Sequence, residues 1–450
     1  MTDLGDRVTA LLPRARTELA ELVAIRSVAG ADSGLADECL RAGEWVASAF
    51  RAEGFADAHL VPTADGSAAV VGTRPCADPD APTVLLHAHY DVQPPSDGDA
   101  WRTPPFTLTE VGGRWYGRGA ADGKGNILMH LTALRALGEE VPVHLKLVVE
   151  GSAEQGTGGL EAFVPEHADL LRADAVLVCD TGDAAVGKPA LTVSLPSMVN
   201  AVLTVEALER DLHPGTFGGA APDALAALVA MLASVRDERG TTTVRDLPDD
   251  QVSSGAPYPP ERLRSDAAPV RGVDLVGDGT IADMLWARRA LTVLGIDGPP
   301  VPGAAAAIVP RARARLNLRI PPGVTPLQAQ RALVAHLHEV APWRVRIEIE
   351  TEAVGEPFRA RTDGPAHRAM LEAMREAYGR TPERLGRGGA IPLCTVLADT
   401  YPDAEILLVG VEGPRSHVHA PDESVHPGEL RDMALVDALF LRGYGASASG

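Results

Sequence analysis

The chain alternates between short, almost continuously apolar runs and longer segments with helical periodicity. The apolar runs are TVLLHAH (83–89), HLKLVVEG (144–151), AVLVCD (175–180) and EILLVGV (405–411). Runs of this length without polar alternation are typical of strands that are buried on both faces, as in a parallel sheet. A segment with helical character at 126–140 predicts a helix between the first two runs. The order of strands and helices predicts an α/β domain with a mainly parallel sheet.

A different texture begins near residue 197. Apolar and polar residues alternate in three segments, 199–208, 313–320 and 344–350. Two segments between them, 223–237 and 325–340, have helical periodicity. Alternation is typical of strands with one buried face. We therefore expect a smaller α+β domain at 197–354, inserted into a first domain formed by 1–196 and 355–450. The stretch 238–307 is rich in Pro, Gly and Asp and gives no clear pattern.

Composition and charge narrow the classes of function. The chain has 450 residues, 45% of them hydrophobic, and a formal net charge of -20. An acidic protein lacks the basic face that nucleic acids and anionic membranes require, so we expect neither as a partner. The four cysteines have no CxxC spacing, and no segment has the pattern of a signal peptide or a membrane span. We expect a cytoplasmic protein.

Polar residues lie at the end of each apolar run or follow it, and one more acid lies in a glycine-rich turn. They are His87, His89 and Asp91, Glu150 and Glu154, Asp180, His417 and His419, and Asp122 in YGRGAADGKGN (116–126). Each alone could be an ordinary exposed loop residue. Because the carboxyl ends of parallel strands share one sheet edge, we expect them to converge. Such a group of carboxylates needs cations, and a mixed nitrogen and oxygen set suits Zn²⁺ or Mn²⁺.

Seven motifs in order along the chain resemble those of a known family. They are HAHYDVQPP (87–95), YGRGAADGKG (116–125), EGSAEQGTGG (150–159), CDTGD (179–183), DLHPGTFGG (211–219), GRGGAIP (386–392) and HVHAPDES (417–424). They resemble the di-zinc metallopeptidase family that includes carnosinase-type dipeptidases, acetylornithine deacetylase, succinyl-diaminopimelate desuccinylase and carboxypeptidase G. The resemblance implies hydrolysis of an amide bond, in a dipeptide or an N-acyl amino acid, by a water molecule that bridges two metal ions. It also implies a ferredoxin-like inserted lid domain through which the chain forms a homodimer.

The resemblance assigns metal ligands by position. His89 and Asp180 would bind one ion, Glu154 and His419 the other, and Asp122 would bridge the two. Zn²⁺ is the expected metal, with Mn²⁺ or Co²⁺ as alternatives. A cis peptide is implied after Asp122. Asp91 would accept the free N–H of the His89 imidazole, with a helix cap as its alternative role; His87 and His417 are alternative ligands to their neighbours.

The resemblance also assigns residues that contact the substrate. His213 would reach the partner subunit's site and stabilise the developing oxyanion, or else serve as a helix cap or loop residue. Arg319 would bind the substrate carboxylate, or else form a surface ion pair. Gly388 and Gly389 would form a tight loop that lines the substrate pocket.

One catalytic position departs from the family pattern E-G-x-E-E-x-G-S. Family members carry their general base, a glutamate, directly before the ligand glutamate, and here that residue is Ala153. Glu150 matches the earlier glutamate of the pattern and is a poor substitute. Either the natural chain has lost its base or a glutamate was replaced by design, and the intact motif around Ala153 favours the second explanation. We therefore expect a chain that binds metal and substrate but is impaired in turnover. A different amide or acyl-transfer reaction, or a purely binding protein, are the alternatives.

Overall fold

The computed structural model describes residues 2–30, 34–95, 100–253, 256–320, 323–354, 356–387 and 389–448. The helices are α1 (Thr2–Ala24), α2 (Ala36–Ala52), α3 (Lys124–Leu137), α4 (Gly159–Glu166), α5 (Ala168–Leu171), α6 (Pro214–Phe217), α7 (Ala224–Ser234), α8 (Pro260–Ala267), α9 (Ile281–Trp286), α10 (Pro326–Val340), α11 (Pro365–Tyr378), α12 (Pro392–Thr400) and α13 (Pro427–Ala448).

The strands are β1 (His59–Pro62), β2 (Ala68–Arg74), β3 (Thr83–His89), β4 (Thr109–Val111), β5 (Arg114–Tyr116), β6 (His144–Glu150), β7 (Ala175–Cys179), β8 (Ala190–Leu195), β9 (Ser197–Glu206), β10 (Ala290–Asp297), β11 (Arg311–Ile320), β12 (Arg346–Val354), β13 (Phe358–Arg359), β14 (Glu383–Gly386), β15 (Glu405–Val409) and β16 (Ser424–Val425).

The chain forms two compact units. The first unit comprises Met1–Val193, Arg359–Leu385 and Pro392–Gly450, and the second comprises Ser194–Phe358 and Gly386–Ile391. The second unit begins at 194 rather than 197 and its main segment ends at 358 rather than 354. The segment 386–391, which was expected in the first domain, belongs to the second unit. Within that unit, Arg387 donates its backbone N–H to the Ser194 carbonyl, at 3.0 Å.

The first unit is built on a mixed sheet of nine strands. Its order is β1-β2-β6-β3-β7-β15-β8-β13, with β14 paired to β8. The four central strands, β6, β3, β7 and β15, run parallel, which confirms the predicted α/β fold with a mainly parallel sheet. Their side chains are almost all buried, because helices such as α3, which packs against α1 and α13, cover the sheet.

The second unit contains a four-stranded antiparallel sheet in the order β10-β11-β9-β12. Helices α7 and α10 contact this sheet, and alternate residues of β9 such as Val199 and Leu203 are buried in the core. The chain order β9-α7-β10-β11-α10-β12 is that of a ferredoxin-like α+β fold, as expected. Strand β10 lies in the unassigned stretch 238–307; as an edge strand with exposed Val293, Leu294 and Ile296, it lacks the alternation that marks a half-buried strand.

Among the described residues, no helix combines the length and the apolar character that crossing a membrane requires.

Candidate metal centre

The expected ligands follow the carboxyl ends of neighbouring strands of the first unit. Strand β3 pairs in parallel with β6 and β7, and β7 pairs in parallel with β15. His89 is the last residue of β3, Asp180 follows β7, and Glu154 lies in a 3₁₀ turn, Ala153–Gln155, after β6. The sheet therefore places these side chains at the edge where open α/β sheets bind their ligands.

His89, Asp122 and Asp180 form one group of potential ligand atoms. His89 Nε2 lies 2.9 Å from Asp122 Oδ1 and 3.5 Å from Asp180 Oδ1. The Asp122–Gly123 peptide is cis, as the resemblance implied. A Cβ at Gly123 would lie 2.5 Å from the His89 ring, so glycine is required there for the imidazole to approach Asp122.

Asp122, Glu154 and His419 form the second group. His419 Nε2 lies 3.1 Å from Asp122 Oδ2 and 3.0 Å from Glu154 Oε2. In each group the ligand atoms lie within 4.8 Å of one another. The two groups share Asp122 and use its two different oxygens.

The charges at this edge favour bound cations. Burial would raise the pKa of Asp122, but His419 and His89 outweigh it and hold this pKa below its usual range. Hydrogen bonds to Asp122 and Glu154 raise the pKa of His419 to about 11. Burial raises the pKa of Glu154 and of Asp180, and the charge of Asp122 adds to this shift. Three carboxylates thus compete for two imidazoles, and their nitrogen and oxygen donors fit Zn²⁺ or Mn²⁺.

Asp91 contacts both the His89 imidazole and the turn that carries Glu154. His89 Nδ1 lies 3.4 Å from Asp91 Oδ1 and 3.1 Å from the Asp91 carbonyl oxygen. The backbone N–H groups of Ala153 and Glu154 donate to the two carboxylate oxygens of Asp91, at 3.2 and 3.0 Å. Asp91 therefore fixes the path of the backbone at position 153 whatever side chain stands there.

Two polar residues near the ligands were not singled out in the sequence. Gln93 donates from Nε2 to the Glu154 carbonyl and to Glu154 Oε2, at 2.9 and 3.0 Å. Glu423 accepts the backbone N–H of Asp122 at 3.1 Å. Gln93 lies in the motif HAHYDVQPP and Glu423 in HVHAPDES, and this position close to expected ligands is what could have indicated them from the sequence.

The remaining candidates of the first unit lie apart from the two groups. His87 is buried, and its ring nitrogens have no hydrogen-bond partner among the described residues; burial lowers its pKa to about 3. His417 is exposed and belongs to neither group. Glu150 is buried opposite His89 in the pairing of β6 with β3, and burial raises its pKa well above the ordinary range. A carboxyl group buried on a strand that pairs with β3 suits a structural role better than that of a base.

The expected substrate residues belong to the second unit. His213 is exposed and caps the short helix α6, where its Nδ1 accepts the Gly215 N–H at 3.1 Å. Its Nε2 therefore carries the proton of the neutral ring. Arg319 donates from Nη2 to the Met284 carbonyl at 2.5 Å, while its Nε is buried without a hydrogen-bond partner in the described part of the chain. A Cβ added to Gly389 would meet no heavy atom of the described residues within 4 Å, and Gly388 lies outside the described residues.

Comparison with known proteins gives consistent results. The sequence profile of peptidase family M20/M25/M40 matches residues 85–442. The chain is 39% identical to the cysteinylglycine-S-conjugate dipeptidase of Corynebacterium striatum, over 91% of either chain. It is 28% identical to the human beta-Ala-His dipeptidase, over 96% of this chain and 86% of the relative. Its fold is similar to the crystal structure of human carnosine dipeptidase 1, with a TM-score of 0.87 and 24% identity over 98% of each chain.

Proposed function

Because the chain belongs to peptidase family M20/M25/M40, we propose that it is a di-metal dipeptidase whose turnover is limited by Ala153. The observation that carries this proposal is the pair of ligand groups that share Asp122. Each group supplies one imidazole nitrogen, and between them they supply three carboxylates. Two relatives are named as dipeptidases, which supports a dipeptide as the substrate, with an N-acyl amino acid as the alternative.

The chain's own residues divide the work of binding. His89, Asp122, Asp180, Glu154 and His419 would hold two divalent ions, of which Zn²⁺ is the first candidate and Mn²⁺ and Co²⁺ are alternatives. When bound, such ions acidify water and polarise the carbonyl of an amide. Asp91 keeps the His89 ring in place through Nδ1, and Gln93 orients the Glu154 carboxylate. These contacts orient the ligand atoms before any ion arrives.

The second unit would supply substrate contacts. The planar fork of a guanidinium matches a carboxylate, which supports Arg319 as the group that would recognise the free carboxylate of a dipeptide. Burial lowers the pKa of Arg319 from its usual value, but arginine remains charged. His213 offers an Nε2–H donor at the surface, which suits oxyanion stabilisation in a partner subunit. The homodimer and the cytoplasmic location are part of the same proposal.

Ala153 limits proton transfer but not binding. General-base catalysis contributes about 10² to 10⁴-fold to rate, and an alanine can neither accept nor donate a proton. We propose that the chain binds its ions and a dipeptide and hydrolyses the peptide bond slowly. Cys-Gly and its S-substituted forms are the first substrates to test, because the Corynebacterium relative is named for them.

The test combines metal content with hydrolysis. Protein stripped with a chelator is reloaded with Zn²⁺ or Mn²⁺, its metal is counted by elemental analysis, and amino-acid release from Cys-Gly, β-Ala-His and S-substituted Cys-Gly is followed. Two ions per chain and slow, metal-dependent release support the proposal. Fewer than one ion per chain would refute the di-metal centre.

A second candidate rests on Ala153 itself. A chain that naturally lacks the base could catalyse another amide cleavage or acyl transfer in which the substrate supplies the proton-transfer group, or could only bind peptides. Release from an unrelated amide that exceeds the dipeptide rate would favour the other reaction. Dipeptide binding with no release from any amide would favour the binding protein.

A further inference from the structure

We propose that Glu423 is a positioning residue that holds the bridging Asp122 and the loop of His419 in register. The inference rests on the metal centre proposed above but not on a catalytic activity. Glu423 lies four residues after His419 in HVHAPDES, so one carboxylate connects the segments that carry two of the five ligands.

Glu423 uses both of its oxygens in the protein interior. Oε1 accepts the backbone N–H groups of Ala121 and Asp122, each at 3.1 Å. Oε2 accepts from Arg118 Nη1 at 2.7 Å, and both side chains of this ion pair are only 1% exposed. The Glu423 carbonyl also accepts the Gly117 N–H, at 3.0 Å. The stretch 117–122 is therefore bound to Glu423 at several points.

Arg118 extends the contact to a third segment. Its Nη2 lies 3.4 Å from the carbonyl oxygen of Pro94, which follows β3, and its guanidinium stacks over Trp101 at 5.1 Å from the ring centroid. A buried ion pair is a weak source of net stability, because removing two charges from water offsets their attraction. The Arg118–Glu423 ion pair instead fixes geometry, because it joins three loops: the loop after β3, the loop before α3 and the loop after β15.

The loop of His419 has a shape that requires such support. His419 and Asp422 both have φ of 62°, in the left-handed region that residues with a Cβ seldom adopt. Asp422 is tied to Arg102 at 2.6 Å, and Glu423 is tied to Arg118. The imidazole of His419 is itself half-exposed, so little packing around the ring fixes its position. Besides the contacts of its Nε2 with Asp122 and Glu154, the contacts at the base of the loop therefore fix the ring.

Replacing Glu423 should therefore weaken metal binding. In Glu423→Gln the amide oxygen can accept only on one side, so the amide nitrogen faces either Arg118 or the two backbone N–H groups, and a buried donor remains unsatisfied. The Asp122 peptide then loses its fixed orientation. Loss of such outer contacts reduces metal affinity by about 10 to 100-fold.

The chain offers a matched control. Glu405 is also buried and also accepts two consecutive backbone N–H groups, those of Ala366 and His367, at 2.8 and 2.9 Å. It begins β15 and pairs with Ala175 at the start of β7, so it lies at the opposite edge of the sheet from Asp180. Glu405→Gln should lower the melting temperature as Glu423→Gln does, without weakening metal binding.

The experiment measures Co²⁺ and Zn²⁺ affinity of chelator-treated full-length protein by calorimetry, with the visible spectrum of bound Co²⁺ as a report of ligand geometry. We expect Glu423→Gln to bind about 10 to 100-fold more weakly than the wild type and to change the Co²⁺ spectrum. Glu405→Gln should keep both. Wild-type affinity and spectrum in Glu423→Gln, or equal losses in both variants, would overturn the proposal.

Two further outcomes are separable. If Glu423→Gln does not fold, Arg118→Lys is tested instead, because lysine keeps the charge but loses the geometry of the guanidinium contacts with Glu423 and the Pro94 carbonyl. Wild-type metal affinity in that variant would overturn the proposal. If the wild type itself binds no divalent ion, the di-metal centre fails. Normal wild-type binding with an unaffected Glu423→Gln variant refutes only the positioning role.

Discussion

Placing a glutamate at position 153 tests whether this chain lacks only its proton-transfer group. Ala153 begins a 3₁₀ turn and is partly exposed. Its N–H and that of Glu154 both donate to Asp91, so the backbone of the turn is fixed without any contribution from the alanine methyl group. Ala153→Glu should therefore change the side chain alone, with a stability effect within about 0.5 kcal/mol.

The expected gain follows from what the substitution adds. A general base contributes about 10² to 10⁴-fold, or about 2.7 to 5.5 kcal/mol of barrier. The new carboxyl group would lie next to the carboxylates of Asp91 and Glu154, and neighbouring negative charge raises the pKa of a carboxyl group toward neutrality. That shift suits a base that must accept a proton near neutral pH. We expect kcat for a dipeptide to rise at least about a hundredfold, with little change in KM.

The assay compares Ala153→Glu with Ala153→Gln after loading with Zn²⁺ or Mn²⁺. Glutamine has the same size but cannot accept the proton, so the difference between the two variants isolates proton transfer. Amino-acid release is followed for Cys-Gly, β-Ala-His, S-substituted Cys-Gly and several N-acyl amino acids. Equal rates for the two variants on every substrate would refute the assignment of position 153.

Three further predictions follow from the described contacts. Asp122→Asn, which removes the shared charge, should leave at most one Zn²⁺ per chain by elemental analysis, and two retained ions would contradict the bridging role. In the Ala153→Glu background, Arg319→Lys should raise KM for a dipeptide about tenfold and leave kcat little changed, because one charged hydrogen bond is worth about 1.5 kcal/mol or more. An unchanged KM would argue against binding of the substrate carboxylate by Arg319. Burial and Asp183 raise the pKa of Glu429 from 4.5 to about 9. Between these two pH values the folded form keeps a proton that the unfolded form loses. The free energy of unfolding therefore falls by up to about 1.4 kcal/mol for each unit by which the pH rises. Glu429→Gln should remove this slope, so its melting temperature relative to the wild type should rise from about pH 6 to about pH 8; a constant difference would disprove the shift.

Hydrophobic patterning predicted the parts of the fold whose side chains are buried in a regular way. The run at 83–89 became β3 without change, because every position of a central strand packs against neighbours. The helix expected at 126–140 ends instead at Leu137, where Gly138 has φ of 65° and closes it. Strand β10 gave no pattern because an edge strand with exposed apolar residues has no buried face to mark.

The proximity of the five expected ligands could be predicted because each follows a strand or lies in a motif, but the residues that contact them could not. Arg118 and Glu423 are 305 positions apart, and their contact depends on how two loops fold over one sheet edge. Gln93 and Glu154 are 61 positions apart, and their contact also depends on how the chain folds. Both contacts join side chains of segments that are distant in the sequence, and no hydrophobic periodicity indicates them.

On the proposed function, binding and turnover are separable in this chain because different atoms would perform them. The potential ligand atoms belong to two imidazoles and three carboxylates, and the backbone N–H groups of Ala153 and Glu154 donate to Asp91. None of these contacts uses the side chain of residue 153. It follows that Ala153 and a glutamate at the same position should give the same metal affinity, while only the glutamate can move the proton.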